Sequence, residues 1–355
     1  MKQITIPATK DDGERILEIL ESSAAKGSIE LLYTRRPNAF LSYQKESDET
    51  YVYVVKEEDK TLGTVAQIVR KVYIGGEIKK LGYVCGLKTA ADYQGNVNWV
   101  RTFIENLVMD DIDCYFCSII NENETARKLF EKKRKRTMNM NFLTGYTTYM
   151  MTPYFKFKVK QQGYEFGQVT EADEKSVIEF LKKEGRKKDF FPVIESLSQF
   201  TDLKADDFYF LKKENEIVAV GALWKQTGYR QYLVKKYQGI LKLARCFNPV
   251  LKLLGYISLP KENEVLKFPM LSFFISKENK EEYYKVFLNH IHPVIKKNYG
   301  MYVIGTTGEG CMNQIFKGVR NIHFDTRIYE IEFILGNGKK ADVDKNNMYL
   351  ECGLL

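Results

Sequence analysis

Histidine, tryptophan, proline and long apolar runs are all scarce in this chain of 355 residues. It contains 3 His, 2 Trp and 8 Pro, whereas Tyr and Phe number 23 and 22. Because so few histidines are available and His290-x-His292 has no third ligand nearby, a zinc site is not expected. The longest apolar run, Ile217 to Trp224, is far shorter than the ~18 residues of a membrane span. We therefore expect neither a metal nor a membrane as a partner.

The six cysteines are scattered along the chain, unlike the dense cysteines of a secreted disulfide scaffold. The amino terminus soon reaches charged residues and carries no apolar signal core, so we expect a cytoplasmic protein. Cys114-x-x-Cys117 has the spacing of a redox or metal motif. It lies in a predicted strand, however, where residues three apart point to opposite faces, and we interpret both cysteines as core residues.

The charge balance is mildly basic, with 54 Lys plus Arg against 46 Asp plus Glu and a net charge of +8. This globular composition excludes disordered and fibrous classes and does not by itself indicate nucleic acid. We interpret the basic run Lys132 to Arg136 as a helix end that complements its own dipole. The segment between Lys225 and Tyr256 is basic, aromatic-rich and free of acidic residues. We interpret it as a helical insertion at 226–258, with membrane or nucleic-acid binding as the less favoured alternatives.

A sequence pattern occurs twice along the chain, with the same spacing of residues in both copies. Thr9 and Asp12 precede one apolar run at helical spacing, and Thr170 and Asp173 precede another. Such residues cap the free N–H groups at a helix start. Each copy continues with a predicted β-hairpin, at 51–65 and 208–220, and ends in a strand and helix, at 114–130 and 301–316. The sequence therefore predicts two copies of one mixed α/β unit.

A polar turn at residues 88–98 separates a strand predicted at 81–87 from a predicted helix. Apolar residues of that helix recur at i, i+3, i+4, i+7 and i+8, starting from Val100. A glycine-containing turn at a helix start presents unpaired N–H groups and the positive end of the helix dipole, which suit a phosphate or pyrophosphate. Many such junctions bind nothing, so the order of the elements is needed as a second argument.

That order resembles the GNAT superfamily of acyl-CoA N-acyltransferases. The superfamily's pyrophosphate loop is Q/R-x-x-G-x-G/A, and Gln94 matches its first position. A later motif of the superfamily has an Asn followed by an Ala three residues on, as Asn123 and Ala126 do here. The whole chain also resembles bacterial tandem-GNAT proteins, specifically in the stretch Gly221 to Gln231 and the Leu259-Pro260 that follows it.

The resemblance implies an α/β fold, with a mixed α+β sheet, made of two tandem GNAT-like domains. Domain 1–155 would carry the acyl-CoA site, and domain 156–355, with the insertion at 226–258, would be non-catalytic. The cosubstrate would be acetyl-CoA or another acyl-CoA, without a metal, and the acceptor a small-molecule or peptide amine. The strand end would hold the pantetheine arm and the turn the pyrophosphate. The implied acyl-CoA-binding residues are Leu87, Lys88, Thr89, Gln94, Gly95, Asn96, Val97, Asn98, Trp99, Asn123 and Phe130.

The sequence departs from the superfamily pattern at several positions. Val97 and Trp99 stand where the loop has small residues, so we expect a narrowed cradle. Phe130 stands where many members carry a Tyr that protonates the leaving thiolate. No Asp or Glu lies between Leu81 and Ala91 to act as a base, so no catalytic residue is assigned. The corresponding turn of the second copy, 276–282, has no glycine and three carboxylates, which we expect to repel a diphosphate.

Two alternatives to acyl transfer onto an amine stay open. The chain could bind CoA without turnover, as a sensor or scaffold. It could also transfer an aminoacyl group from charged tRNA, since other tandem-GNAT folds do this, and the basic insertion would then carry the RNA.

Overall fold

A computed structural model describes residues 2–24, 29–134, 137–239, 242, 247–253, 259–308, 310–319, 321–334 and 341–355. Strands and α-helices alternate over much of this part of the chain. The strands are β1 (Ile4–Pro7), β2 (Ile29–Thr34), β3 (Thr50–Glu57), β4 (Lys60–Ile74), β5 (Glu77–Thr89), β6 (Cys114–Ile120), β7 (Met138–Met151), β8 (Tyr164–Gln168), β9 (Phe208–Lys213), β10 (Glu216–Trp224), β11 (Gln231–Tyr237), β12 (Met270–Ser276), β13 (Tyr302–Thr307) and β14 (Ile322–Phe333). The α-helices are α1 (Gly13–Glu21), α2 (Ala39–Gln44), α3 (Trp99–Asn106), α4 (Glu124–Phe130), α5 (Glu174–Gly185), α6 (Asn248–Leu253), α7 (Glu281–Asn298) and α8 (Cys311–Lys317).

Two compact units divide the chain. The first contains Met1–Val69, Val84–Val108 and Gln226–Lys267, and the second contains Arg70–Tyr83, Met109–Lys225 and Phe268–Leu355. Each unit therefore takes segments from both halves of the sequence. The division of the chain near residue 155 into two similar folds stays a prediction.

The first unit contains the antiparallel strands β1 and β3, the part of β4 up to Val69 and the part of β5 from Val84 onward. It also contains a two-stranded antiparallel ribbon of β2 and β11, in which Tyr232 lies opposite Tyr33. The predicted helical insertion at 226–258 is thus only partly helical: α6 lies in it, but β11 is a strand. Aromatic and β-branched side chains such as Tyr232 and Val234 favour a strand once a partner strand is available. Residues 240–241, 243–246 and 254–258 of the insertion lie outside the described residues.

The second unit contains strands in the order β6-β14-β7-β13-β12-β10-β9-β8. The sheet is mixed, because β12 and β13 run parallel whereas the neighbouring pairs are antiparallel. β14 pairs with both β6 and β7, and β7 pairs on its other side with β13. Two apolar clusters form its core, one around Phe191 and Trp224 and the other around Phe274 and Phe287.

The two predicted helix starts share one arrangement of hydrogen bonds. Asp12 Oδ2 accepts the N–H of Thr9 at 2.9 Å, just before α1. Asp173 Oδ2 accepts the N–H of Thr170 at 3.2 Å, just before α5. Each aspartate also contacts a lysine of the following hairpin, at 2.9 Å in the first copy and 3.5 Å in the second. The sequence repeat therefore corresponds to a repeated local structure.

The cysteine pair and the basic run, which we interpreted as structural, lie in the core and at a helix end, respectively. Cys114 and Cys117 are buried free thiols in β6, and burial raises the pKa of Cys117 to about 12. In the basic run after α4, Arg134 Nη2 donates to the carbonyl of Leu129 at 2.9 Å, which satisfies a helix-end carbonyl. Arg136 and its neighbour at 135 lie outside the described residues. None of the helices in the described ranges is long and apolar enough to span a membrane.

Candidate functional site

The predicted strand, turn and helix are all present, and the end of the strand, the turn and the helix lie in the first unit. β5 ends at Thr89, and α3 begins at Trp99. A hydrogen bond fixes the start of the turn, where the N–H of Ala90 donates to the carbonyl of Leu62 at 2.8 Å. The end of the turn is fixed by Asn98, whose Oδ1 accepts the N–H of Arg101 at 3.2 Å and so caps α3.

Gln3 fixes the middle of the turn from a distant part of the sequence. Its Nε2 donates to the carbonyl of Asn96 at 2.9 Å and to the hydroxyl of Tyr93 at 3.1 Å. Its Oε1 accepts the N–H of Asn98 at 3.1 Å. Three hydrogen bonds from one side chain therefore set the course of the turn. Sequence reasoning missed Gln3, because nothing in the chain near it indicates these partners.

Four consecutive N–H groups of the turn are available to a ligand. Within the described part of the chain, the N–H groups of Gln94, Gly95, Asn96 and Val97 donate to no protein acceptor. Val97 is half-buried and the other three residues are exposed. The run lies directly before α3, where the helix dipole favours negative charge. Both features suit the pyrophosphate of a CoA molecule.

The glycine and the tryptophan of the turn have local packing roles. A Cβ built on Gly95 would overlap the Tyr93 hydroxyl, so glycine allows the Tyr93 ring its present position. Trp99 is 6% exposed, and a Cβ on Gly63 would lie 2.8 Å from its ring. The indole therefore points into the core. It does not narrow the cradle, contrary to the expectation from its size.

The turn at 88–98 carries one carboxylate, Asp92, and basic side chains lie beside it. The Asp92 carboxylate lies 2.8 Å from Arg15 and 3.8 Å from Lys60. The hydrogen bond from Arg15 holds the pKa of Asp92 below its usual value, so this carboxylate stays ionised and is already paired. Lys88 Nζ donates to the carbonyl of Leu20 at 2.7 Å, at the end of α1, and burial lowers its pKa.

The end of β5 carries a backbone irregularity. Leu87, Lys88 and Thr89 are half-buried, and Gly86 just before them has a φ of +62°. This left-handed conformation favours glycine. A Cβ on Gly86 would also overlap the hydroxyl of Tyr43, a residue of α2. Two independent constraints, backbone conformation and contact with Tyr43, thus require glycine at this position.

The last two predicted site residues lie in the second unit. Asn123 Oδ1 accepts the N–H of Ala126 at 3.1 Å, so Asn123 caps α4. The Asn-x-x-Ala spacing of the motif is therefore the spacing of a helix cap. Phe130, the last residue of α4, is 2% exposed and belongs to the core. Their part in binding acyl-CoA stays a prediction.

The corresponding turn of the second copy is closed by the chain itself. Glu278 and Asn279 both have a φ of +55° just before α7. The N–H of Glu278 donates to a carboxylate oxygen of the buried Glu184 at 3.0 Å. The carboxylate of Glu278 pairs with Lys280 at 2.8 Å, so one of the three carboxylates seen in the sequence is neutralised locally. A protein carboxylate already uses the N–H group that an anion would need.

The strand before that turn has the same irregularity as β5. Phe273 has a φ of +50° and lies three residues before the end of β12, as Gly86 does in β5. Its N–H donates to Glu351 Oε2 at 2.5 Å, and the Tyr349 hydroxyl donates to the same oxygen at 2.6 Å. Glu351 is buried, and burial raises the pKa of its carboxyl. The C-terminal segment therefore lies against β12.

The remaining candidates for chemistry have ordinary partners. His292 lies between the carbonyl of Phe155, 3.1 Å from Nδ1, and the hydroxyl of Tyr302, 3.0 Å from Nε2. Burial lowers the pKa of His292 to about 4. His290 stacks on Phe166 with ring centroids 5.4 Å apart. In the part of the chain that the structure describes, no three His, Cys, Asp or Glu side chains form a group that could hold a metal ion.

Solved structures that are similar to this chain include acyltransferases. The N-myristoyltransferase of Saccharomyces cerevisiae with bound myristoyl-CoA superposes with a TM-score of 0.56 at 9% identity, covering 98% of this chain and 89% of that one. A GCN5-related N-acetyltransferase from Anabaena variabilis gives 0.54 at 8% identity, with coverage of 94% and 73%. A probable N-acyltransferase of unknown function from Enterococcus faecalis gives 0.53 at 8% identity, with the same coverage.

The fold is thus the mixed α/β GNAT fold that the resemblance implied, and the similar structures include an N-myristoyltransferase. No protein-family model matches the sequence, and no curated protein is similar to it in sequence.

Proposed function

We propose that this protein transfers an acyl group from acyl-CoA to an amine. The observation that carries the proposal is the run of four unpartnered N–H groups from Gln94 to Val97, placed between β5 and the start of α3. Such groups bind a pyrophosphate without any charged side chain. The acyltransferases that share the fold support the same reaction class.

Each part of the turn has a role in this proposal. The amides of Gln94 to Val97 hold the pyrophosphate, and Asn98 and Trp99 orient them, Asn98 as the cap of α3 and Trp99 as its anchor in the core. The strand end at Leu87, Lys88 and Thr89 holds the pantetheine arm, and Asn123 and Phe130 shape α4 in the second unit. The acceptor is a small-molecule or peptide amine.

The reaction needs no cofactor besides the acyl-CoA itself. The lone pair of the neutral amine forms a bond to the thioester carbonyl carbon, and the C–S bond then breaks. The thiolate leaves with the electron pair and takes up the proton that the amine nitrogen releases, either directly or through water. Because positioned acid and base groups each contribute about 10²–10⁴-fold, and none is assigned here, we expect slow transfer that rises with pH as more amine loses its proton.

A thioester assay tests the proposal. Purified protein is incubated with acyl-CoAs from acetyl to myristoyl and a panel of amines between pH 6 and 9, and both free thiol and acylated amine are measured. Amine-dependent release of CoA that increases with pH supports the proposal. CoA binding without any turnover would favour a sensor instead, and fast turnover with a flat pH profile would show that an unidentified group moves the proton.

The variant Gly95→Pro tests where CoA binds. Proline removes one of the four N–H donors and fixes φ in the turn, so CoA binding measured by calorimetry should be lost. The wild type should bind one CoA per chain, because Glu184 and Glu351 already occupy the N–H groups of Glu278 and Phe273 in the second copy. A stoichiometry of two, or full binding by Gly95→Pro, would contradict the assignment.

A further inference from the structure

The hydroxyl of Tyr43 lies against the irregular backbone of β5. A Cβ on Gly86 would overlap this oxygen, so the hydroxyl occupies the space beside the Gly86 Cα. Tyr43 is 1% exposed. Within the described residues its hydroxyl has no hydrogen-bond partner. The oxygen is not one of the fully enclosed side-chain atoms that lack a partner, so a ligand atom that reaches it could accept its hydrogen bond.

A cluster of buried side chains holds Tyr43 in this place. The guanidinium of Arg35 lies over the Tyr43 ring, 3.6 Å from its centroid. Arg35 Nη1 donates to Ser42 Oγ at 3.1 Å, and Arg35 forms a buried ion pair with Glu46. Ser42 and Glu46 flank Tyr43 in the sequence, so both partners of Arg35 are fixed close to the ring. The hydroxyl is therefore a rigid donor, as a preorganised site requires.

We infer that Tyr43 is a catalytic residue whose hydroxyl donates a hydrogen bond to the thioester oxygen as negative charge develops on that oxygen. This inference rests on the proposed function, in which the half-buried strand end after Gly86 holds the arm of the acyl-CoA. When the amine attacks, the carbonyl π electrons move onto the oxygen, and Tyr43 stabilises that charge. The C=O bond then re-forms as the C–S bond breaks. Tyr43 keeps its proton throughout, so the step is balanced without another reactant.

The electrostatics of the cluster agree with a neutral donor. Burial raises the pKa of Tyr43 well above its ordinary value, whereas the charge of Arg35 opposes this shift; Cys85, Tyr33 and Glu46 raise it further. The hydroxyl thus stays protonated between pH 6 and 9. A neutral donor of this kind lowers the barrier without giving up a proton.

Tyr43→Phe tests the inference, with Tyr33→Phe as the matched control. Tyr33 also lies near Arg35, 5.4 Å from its guanidinium carbon to the ring centroid, so its variant removes a hydroxyl from the same cluster. Loss of one oxyanion donor costs about 10²–10³-fold in kcat. We expect that fall for Tyr43→Phe, with KM for acyl-CoA and the shape of the pH profile unchanged. Tyr33→Phe should keep the wild-type kcat. The two variants should have the same thermal unfolding temperature.

Three other results would each overturn the inference about Tyr43. Wild-type kcat in Tyr43→Phe would overturn the inference and leave the proposed function standing. A similar fall in both tyrosine variants, or a higher KM at unchanged kcat, would assign the cluster a structural or binding role and overturn it as well. A wild-type protein that turns over no thioester in the presence of amines would remove the proposed function and this inference together.

Discussion

At the scale of single residues, Gln3 is the side chain that shapes the candidate cradle. Gln3→Ala removes three hydrogen bonds from the turn, each contributing on the order of 1 kcal/mol. We expect a loss of about tenfold or more in CoA affinity, measured by calorimetry, because ~1.4 kcal/mol corresponds to tenfold. Gln94→Ala is the control, since the side chain of Gln94 is exposed and forms no hydrogen bond within the described residues. If only Gln94→Ala weakened binding, side chains rather than amides would hold the ligand.

Residue roles that depend on near neighbours in sequence could be predicted. Thr9 and Asp12 form a capping box at the short turn just before α1, and its bonds span only three residues. Gln3 and Tyr43 could not be identified, because their partners in the turn and in β5 are far along the chain. Trp99 is expected in the cradle from its position in the loop, and its bulk predicts a narrower cradle, whereas the indole is buried in the core.

At the scale of elements, the C-terminal segment and β12 form one structure. Glu351→Ala should destabilise the protein by about 2–4 kcal/mol, because the N–H groups of Phe273 and Gly353 would each lose a buried acceptor. Denaturant unfolding measures this loss. Glu179→Ala, at an exposed position of α5, is the matched control and should unfold like the wild type. Equal stability of the two variants would show that the Glu351 carboxylate does not support β12.

Elements with a strong local pattern agree with prediction, and those that need a distant partner do not. The hairpins of β3 with β4 and of β9 with β10 were predicted from two short runs around a polar turn. β11 was predicted as part of a helical insertion, because its basic and aromatic residues fit either periodicity when read alone. Its strand conformation depends on β2, which lies near the other end of the chain. A prediction that uses only neighbouring residues in the sequence cannot identify such a partner strand.

At the scale of the whole molecule, strands from the two halves of the sequence pair with one another. β2 pairs with β11 in the first unit. In the second unit, β14 pairs with β6 and β7, and β7 pairs with β13. Three strands that precede residue 155 thus have their partners after it. Two folds that follow one another in sequence need not be two independent folding units.

The fragment 1–155 tests this dependence. It lacks β11, β13 and β14, so it would expose the edges of β2, β6 and β7, and unpaired edges recruit other chains. We therefore expect the fragment to aggregate, whereas the full chain stays dispersed at the same concentration. Size-exclusion chromatography with light scattering gives the particle mass, and thermal unfolding followed by circular dichroism gives the cooperativity. A monomeric fragment with one cooperative transition would mean that the first half reaches a stable fold without these strands. The first half would then fold before β2, β6 and β7 pair with strands of the second half, and it would not need those pairs in order to fold.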